Sequence, residues 1–180
     1  MSERKLHPAV AGAQPMYRAE NDPDAPLFEG AYKQRFDDIL TRYPDKRAAI
    51  LPVLAMCQEL RGWISSETIE RVAELLDLTP AYVLSITSFY TMFRPQPVGK
   101  YLIQVCTSIG CDLCGAENVV EKLLAATGTR TGEISEDGLY TVIEVECLGA
   151  CGFATVVQVN ERVYESVKTE TVTRLLEELR

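Results

Sequence analysis

YLIQVCTSIGCDLCGAENVVEKLLAATG, residues 101–128, opens on a β-rich run, YLIQVC, and closes on a helical one from about Ala116 to Ala126, stopped by Gly128. A second β-rich run, YTVIEVEC, follows at 140–147. Strand, helix and strand with a crossover of this length imply two parallel strands joined by a right-handed connection, so their C-terminal ends lie on one edge. Cys106 ends the first run and Cys147 the second. If the two strands are neighbours, these residues stand roughly 4.8 Å apart across the sheet.

Each thiol has a companion. CTSIGC supplies Cys111 five residues after Cys106, and CLGAC supplies Cys151 four residues after Cys147. Loops beyond the carboxyl ends of parallel strands are where open α/β sheets place ligands. Downstream, TVVQV and RVYE read as a hairpin turning at Asn160-Glu161, and TVTRLLEELR as an amphipathic helix. Strand, helix, strand, hairpin and helix together give a small thioredoxin-like sheet.

Outward from this segment the chain changes character. RPQPVG, residues 94–99, combines Pro95, Pro97 and Gly99 and marks a domain boundary. Before it, from 28 to 94, the period is helical: YKQRFDDILTRY, a run from about Lys46 to Gly62, SSETIERVAELLDL and TPAYVLSITSFYTMF. Ser65 or Ser66 and Thr79 with Pro80 suit helix starts, Gly62 suits a helix end, and Pro52 predicts a kink or a boundary in the second helix. Residues 1–27, with Pro8, Pro15, Pro23 and Pro26 and no apolar period, read as a flexible arm. The expected fold class is α+β: a helical bundle over 28–94, then a thioredoxin-like α/β domain over 99–180 holding a 2Fe-2S cluster.

Composition narrows the partners. A formal charge of -8 over 180 residues repels phosphate backbones and anionic headgroups, which argues against nucleic acid and membrane surfaces. No apolar run approaches the roughly 20 residues that span a bilayer, and the start lacks a secretory core, so the expected location is cytoplasmic. In a reducing compartment six cysteines are more often ligands or redox centres than disulfides. No G-x-G-x-x-G or P-loop is present, and His7, the only histidine, has no carboxylate or cysteine cluster near it.

Two pairs of thiolates suit a 2Fe-2S cluster, in which each iron takes two protein sulfurs. Four rivals use the same residues. C-x4-C-x2-C through Cys114 is the plant-type ferredoxin spacing, which leaves Cys147 or Cys151 idle. Cys111-Asp112-Leu113-Cys114 is a thioredoxin-type dithiol, although no proline follows Gly99 to stand beside it. Four-cysteine zinc favours C-x2-C knuckles, and a disulfide between the loops is disfavoured by compartment. Cys57, among Leu51, Val53, Leu54 and Met56, reads as a core residue. Trp63, Phe89, Tyr90 and Phe93 read as core rather than as a docking face, and EISEDG as a solvated loop.

C-T-x-x-x-C, E-C-L-G-A-C and V-Q-V-N, with RAAILPVL, GWI and SFY upstream, resemble the thioredoxin-like 2Fe-2S subunit of NADH dehydrogenases, the type found in bacterial respiratory complex I, an NADH-quinone oxidoreductase. Related subunits serve NAD-linked hydrogenases and formate dehydrogenases. The likeness covers about residues 30–180. It implies cluster ligands at Cys106, Cys111, Cys147 and Cys151, and no catalysis by this chain alone. It further implies a flavoprotein partner that holds FMN and oxidises NADH, further subunits, and a place in the peripheral arm of a membrane-associated complex. Two positions depart from the family pattern: Cys114 is an additional thiol, and Thr155 stands where many relatives carry proline.

Overall fold

A computed structural model describes residues 26–179. Most of the expected arm, with His7, lies outside the described residues. The chain divides into two compact units, the first ending at Pro97 and the second running from Val98.

In the first unit, α1 spans Gly30–Thr41, α2 Ile50–Arg61, α3 Ser66–Leu76 and α4 Pro80–Phe89. Their ends have local causes. Thr68 N–H donates to Ser65 Oγ at 3.1 Å to open α3, and Tyr82 N–H donates to Thr79 Oγ1 at 3.3 Å to open α4, whose first residue is Pro80. Gly62, at φ +82°, closes α2 with its N–H on Gln58 O. Pro52 falls in the first turn of α2, directly after a 3₁₀ turn at Arg47–Ala49, where its missing N–H costs nothing. The boundary reading of Pro52 is therefore the correct one.

Phe36, Ile50, Leu54, Met56, Val72 and Val83 are among the residues that fill this unit's core, and Cys57 is fully buried with them. Of the four aromatics expected there, only Phe93 is buried; Trp63 is half-buried, Tyr90 is exposed, and Phe89 is 77% exposed. The reason is helical phase. Val83 and Thr87 face inward, and at 100° per residue Phe89 sits about 200° further round than Thr87. Phe93 turns in only because the helix has stopped at Phe89. Among the described residues no single helix is long and apolar enough to cross a membrane.

The second unit is one sheet with helices against it. Strands β1 (Tyr101–Cys106), β2 (Tyr140–Val145), β3 (Val157–Val159) and β4 (Arg162–Tyr164) lie in the order β2-β1-β3-β4. β1 runs parallel to β2 and antiparallel to β3, and β3 and β4 form the hairpin. A single helical turn, α5 (Ile109–Asp112), follows β1. Helices α6 (Ala116–Thr127) and α7 (Val172–Glu178) cover the face lined by Ile103, Val105, Val142 and Val157. Gly99 enters β1 so close to the next strand that a Cβ there would lie 2.7 Å from the backbone carbon of Tyr140. EISEDG is more ordered than a solvated loop: Ile134 bridges Thr141, and Ser135 is buried with its N–H on Tyr140 O.

Two short turns that carry cysteines have no counterpart in the sequence pattern. One is α5, which follows Ser108 and carries Cys111; the other is a 3₁₀ turn over Cys151–Phe153, which carries Cys151.

Candidate metal centre

The parallel ladder fixes the site. Cys106 pairs with Val145 in register, so β2 ends two residues before Cys147 rather than at it. Thr107 N–H still donates to Val145 O at 3.0 Å, holding the two chain segments together just past the strand ends. Beyond that point the loops approach again: a Cβ on Gly110 would lie 3.9 Å from the Cβ of Cys151.

The four thiols form two pairs of different character. Cys106 and Cys111 are buried, each 2% exposed, and pack together with Ala116 and Val156. Leu148, Ala150 and Ala154 close this group from the second loop. Cys147 and Cys151 are exposed, with their Sγ atoms 3.5 Å apart. Leu148 and Ala150 of the CLGAC loop pack against the apolar cluster that holds Cys106 and Cys111, which brings the second pair beside the first.

Backbone donors point at the sulfurs. Burial by itself would raise the Cys106 thiol, but N–H groups of Leu148 and Ser108, with the Cys111 thiol and Ser108 hydroxyl, bring it below its ordinary value. Burial and the neighbouring Cys106 hold Cys111 above its ordinary value, against a donor from Val156 N–H. The Val156 carbonyl also accepts from Cys106 N–H at 3.0 Å, so one residue grips both inner cysteines. The hydrogen bond and charge of Cys147 raise Cys151, and Gly149 N–H lies 3.4 Å from Cys147 Sγ. Gly149 takes φ +82°, which aims that amide inward; Gly110 and Gly152 keep ordinary backbone.

This donor set fits a diiron centre. Four thiolates on one zinc ion would bring every sulfur within about 3.8 Å of every other. Among the described residues no group of three histidine, cysteine or acidic side chains is gathered around one point for a single metal ion. Two close pairs set opposite each other are what two irons bridged by sulfide require. Cys114 lies outside the set: it is exposed on the turn after α5, its N–H on Cys111 O. Thr155 is buried, follows a cis peptide bond from Ala154, and places its Oγ1 3.5 Å from Cys111 O.

A parallel strand pair opening onto paired thiols in a thioredoxin-like sheet defines an iron–sulfur electron carrier. The sequence matches the family described as thioredoxin-like [2Fe-2S] ferredoxin over residues 36–180, and the chain belongs to that family, whose cofactor is one 2Fe-2S cluster. It is 43% identical to NADH-quinone oxidoreductase subunit 2 of Thermus thermophilus over 145 residues, covering 79% of this chain and 78% of that protein. Two further NADH-quinone oxidoreductase subunits are similar: one of Rhizobium meliloti at 35% identity, covering 82% and 88%, and one of Rickettsia bellii at 39%, covering 80% and 88%. The fold resembles part of an NAD+-reducing [NiFe]-hydrogenase at a TM-score of 0.61 and 20% identity, covering 71% of this chain and 22% of that one.

Proposed function

We propose that this chain is the electron-transfer subunit of an NADH-quinone oxidoreductase, holding its cluster through Cys106, Cys111, Cys147 and Cys151. The observation that carries this reading is the two-and-two arrangement of thiols past the ends of adjacent parallel strands. Bound there, the cluster supplies one-electron storage and no bond chemistry.

The chain's own residues do the rest. Cys106, at the end of β1, and Cys111, on α5, would hold the cluster from its buried side, over the apolar floor of Ala116 and Val156. Cys147 and Cys151, both exposed, would hold it from the side that a partner can reach. Amides of Leu148, Ser108, Val156 and Gly149 take up negative charge on the sulfurs and so favour the reduced state.

The electron's source is a flavoprotein subunit that holds FMN and oxidises NADH. Ile109, 81% exposed, Leu113, 84% exposed, and Phe153, 55% exposed, ring the ligand turns, and large apolar side chains so placed fit a face that is covered in a complex. The chain then sits peripherally, joined to the membrane only through other subunits.

The test is purification of the native assembly through a tag on this chain. We expect FMN in fixed ratio to the chain and an NADH-dependent EPR signal from its cluster. A chain recovered with its iron but no flavin, and not reduced by NADH, would overturn this reading.

A further inference from the structure

The four paired thiols differ in what an oxidant can reach. Cys106 and Cys111 are buried, and the backbone ties both down: Cys106 N–H donates to Val156 O at 3.0 Å and Cys111 N–H to Ser108 O at 2.8 Å. Cys147 and Cys151 are exposed, and their Sγ atoms stand 3.5 Å apart. Only Leu148, Gly149 and Ala150 lie between them, and Gly149 at φ +82° makes the tight turn that turns the chain back on itself. β2 ends at Val145, so this loop lies outside the ladder and can shift without breaking it.

The sulfurs of a disulfide are about 2.05 Å apart, so an approach of about 1.5 Å would join the outer pair. The rival pairing, Cys111 with Cys114, is worse placed. Cys111 is buried with Ala116 and Val156, while Cys114 is exposed on the turn that follows.

We propose that Cys147 and Cys151 are a redox latch on cluster loading: in the chain freed of iron, a disulfide oxidant joins this pair and leaves the inner pair as thiols. The inference rests on the ligand assignment above and adds a site of covalent modification to it. In the step, one thiolate attacks glutathione disulfide and releases one glutathione; the second thiolate then attacks the protein sulfur of the mixed disulfide and releases the other. One S–S bond forms in the protein as one breaks in the oxidant, and two electrons and two protons leave on the two glutathione thiols. A ring this short gains little from loop closure, and an exposed bond stays open to thiol attack, so dithiothreitol reverses it. While the bond lasts, both outer ligands are consumed.

The experiment takes the full chain, freed of iron by a chelator under anaerobic reducing conditions, and exposes it to glutathione disulfide. Remaining thiols are alkylated and the peptides mapped by mass spectrometry. We expect one internal disulfide, Cys147 to Cys151, in the parent and equally in Cys114→Ser, and none in the chain that carries its cluster. Loading with ferrous iron and sulfide should lag in the oxidised chain, and dithiothreitol should abolish the lag. Oxidation in urea, where separation along the chain decides, should join Cys111 to Cys114 as readily as Cys147 to Cys151. A folded chain that joins Cys111 to Cys114, carries only glutathione adducts, or gives the same mixture as in urea would overturn the latch. A chain that holds a full cluster while the Cys147 to Cys151 bond is intact would instead overturn the ligand assignment beneath it.

Discussion

Cys106 and Val145 face each other across a parallel ladder, and everything at the site follows from that register. It sets Cys147 two residues past the strand end, free of the sheet's hydrogen bonds, while Cys106 stays tied to Val156. One thiol of the centre is thus rigid and buried, and the thiol across from it lies on an exposed loop.

The division between ligands and bystander is open to direct test. Cys147→Ser or Cys151→Ser should abolish bound iron and its visible absorption, because each removes half of an outer pair that nothing nearby replaces. Cys114→Ser should leave both unchanged, its side chain being exposed and outside the pairs. Loss of the cluster in Cys114→Ser with retention in Cys147→Ser would restore the plant-type arrangement.

Gly99→Ala should destabilise the second unit. The added methyl would meet the backbone of Leu139 and Tyr140 at under 3 Å, and backbone in a paired strand cannot step aside. It would also strain the bond from Gly99 N–H to Thr141 Oγ1, now 2.8 Å. The expected loss is about 1–3 kcal/mol by chemical denaturation.

Cys57 links stability to high pH. Burial pushes its thiol up to about 12 from an ordinary 9.0, against the pull of Arg61 and Arg71. The unfolded chain therefore loses this proton first, so the contribution of Cys57 is full below pH 9 and declines as pH climbs from 9 toward 12. The slope it adds approaches about 1.4 kcal/mol per pH unit. Denaturation curves of the parent and of Cys57→Ala should converge over that range, and a constant difference would refute the linkage.

Ser65→Ala should cost about 1 kcal/mol in the first unit, because Thr68 N–H loses its acceptor at 3.1 Å. Ser66→Ala, one residue inside α3, should be near neutral. Thermal melts of the two variants separate these outcomes.

Much of the fold is legible in the sequence because its signals are local. Thr79-Pro80 and Ser65 mark helix starts chemically, and YLIQVC followed by YTVIEV marks a parallel pair through the length of the connection. The turns that carry Cys111 and Cys151 are not legible, since one turn of helix or 3₁₀ has no period to detect. Aromatic spacing does not say which way a helix is rotated, so Phe89 reads as core and yet lies exposed. The contact between Ser108 and Glu146 joins residues 38 apart, and only the strand register brings them together.

The most direct measurement is the iron and acid-labile sulfide content of the full chain purified anaerobically, read with its EPR spectrum after reduction. Two irons and two sulfides per chain, with a spectrum from one unpaired electron, are the predicted result. A single zinc ion bound by the same cysteines, or a chain that takes up neither iron nor sulfide on reconstitution, would contradict it.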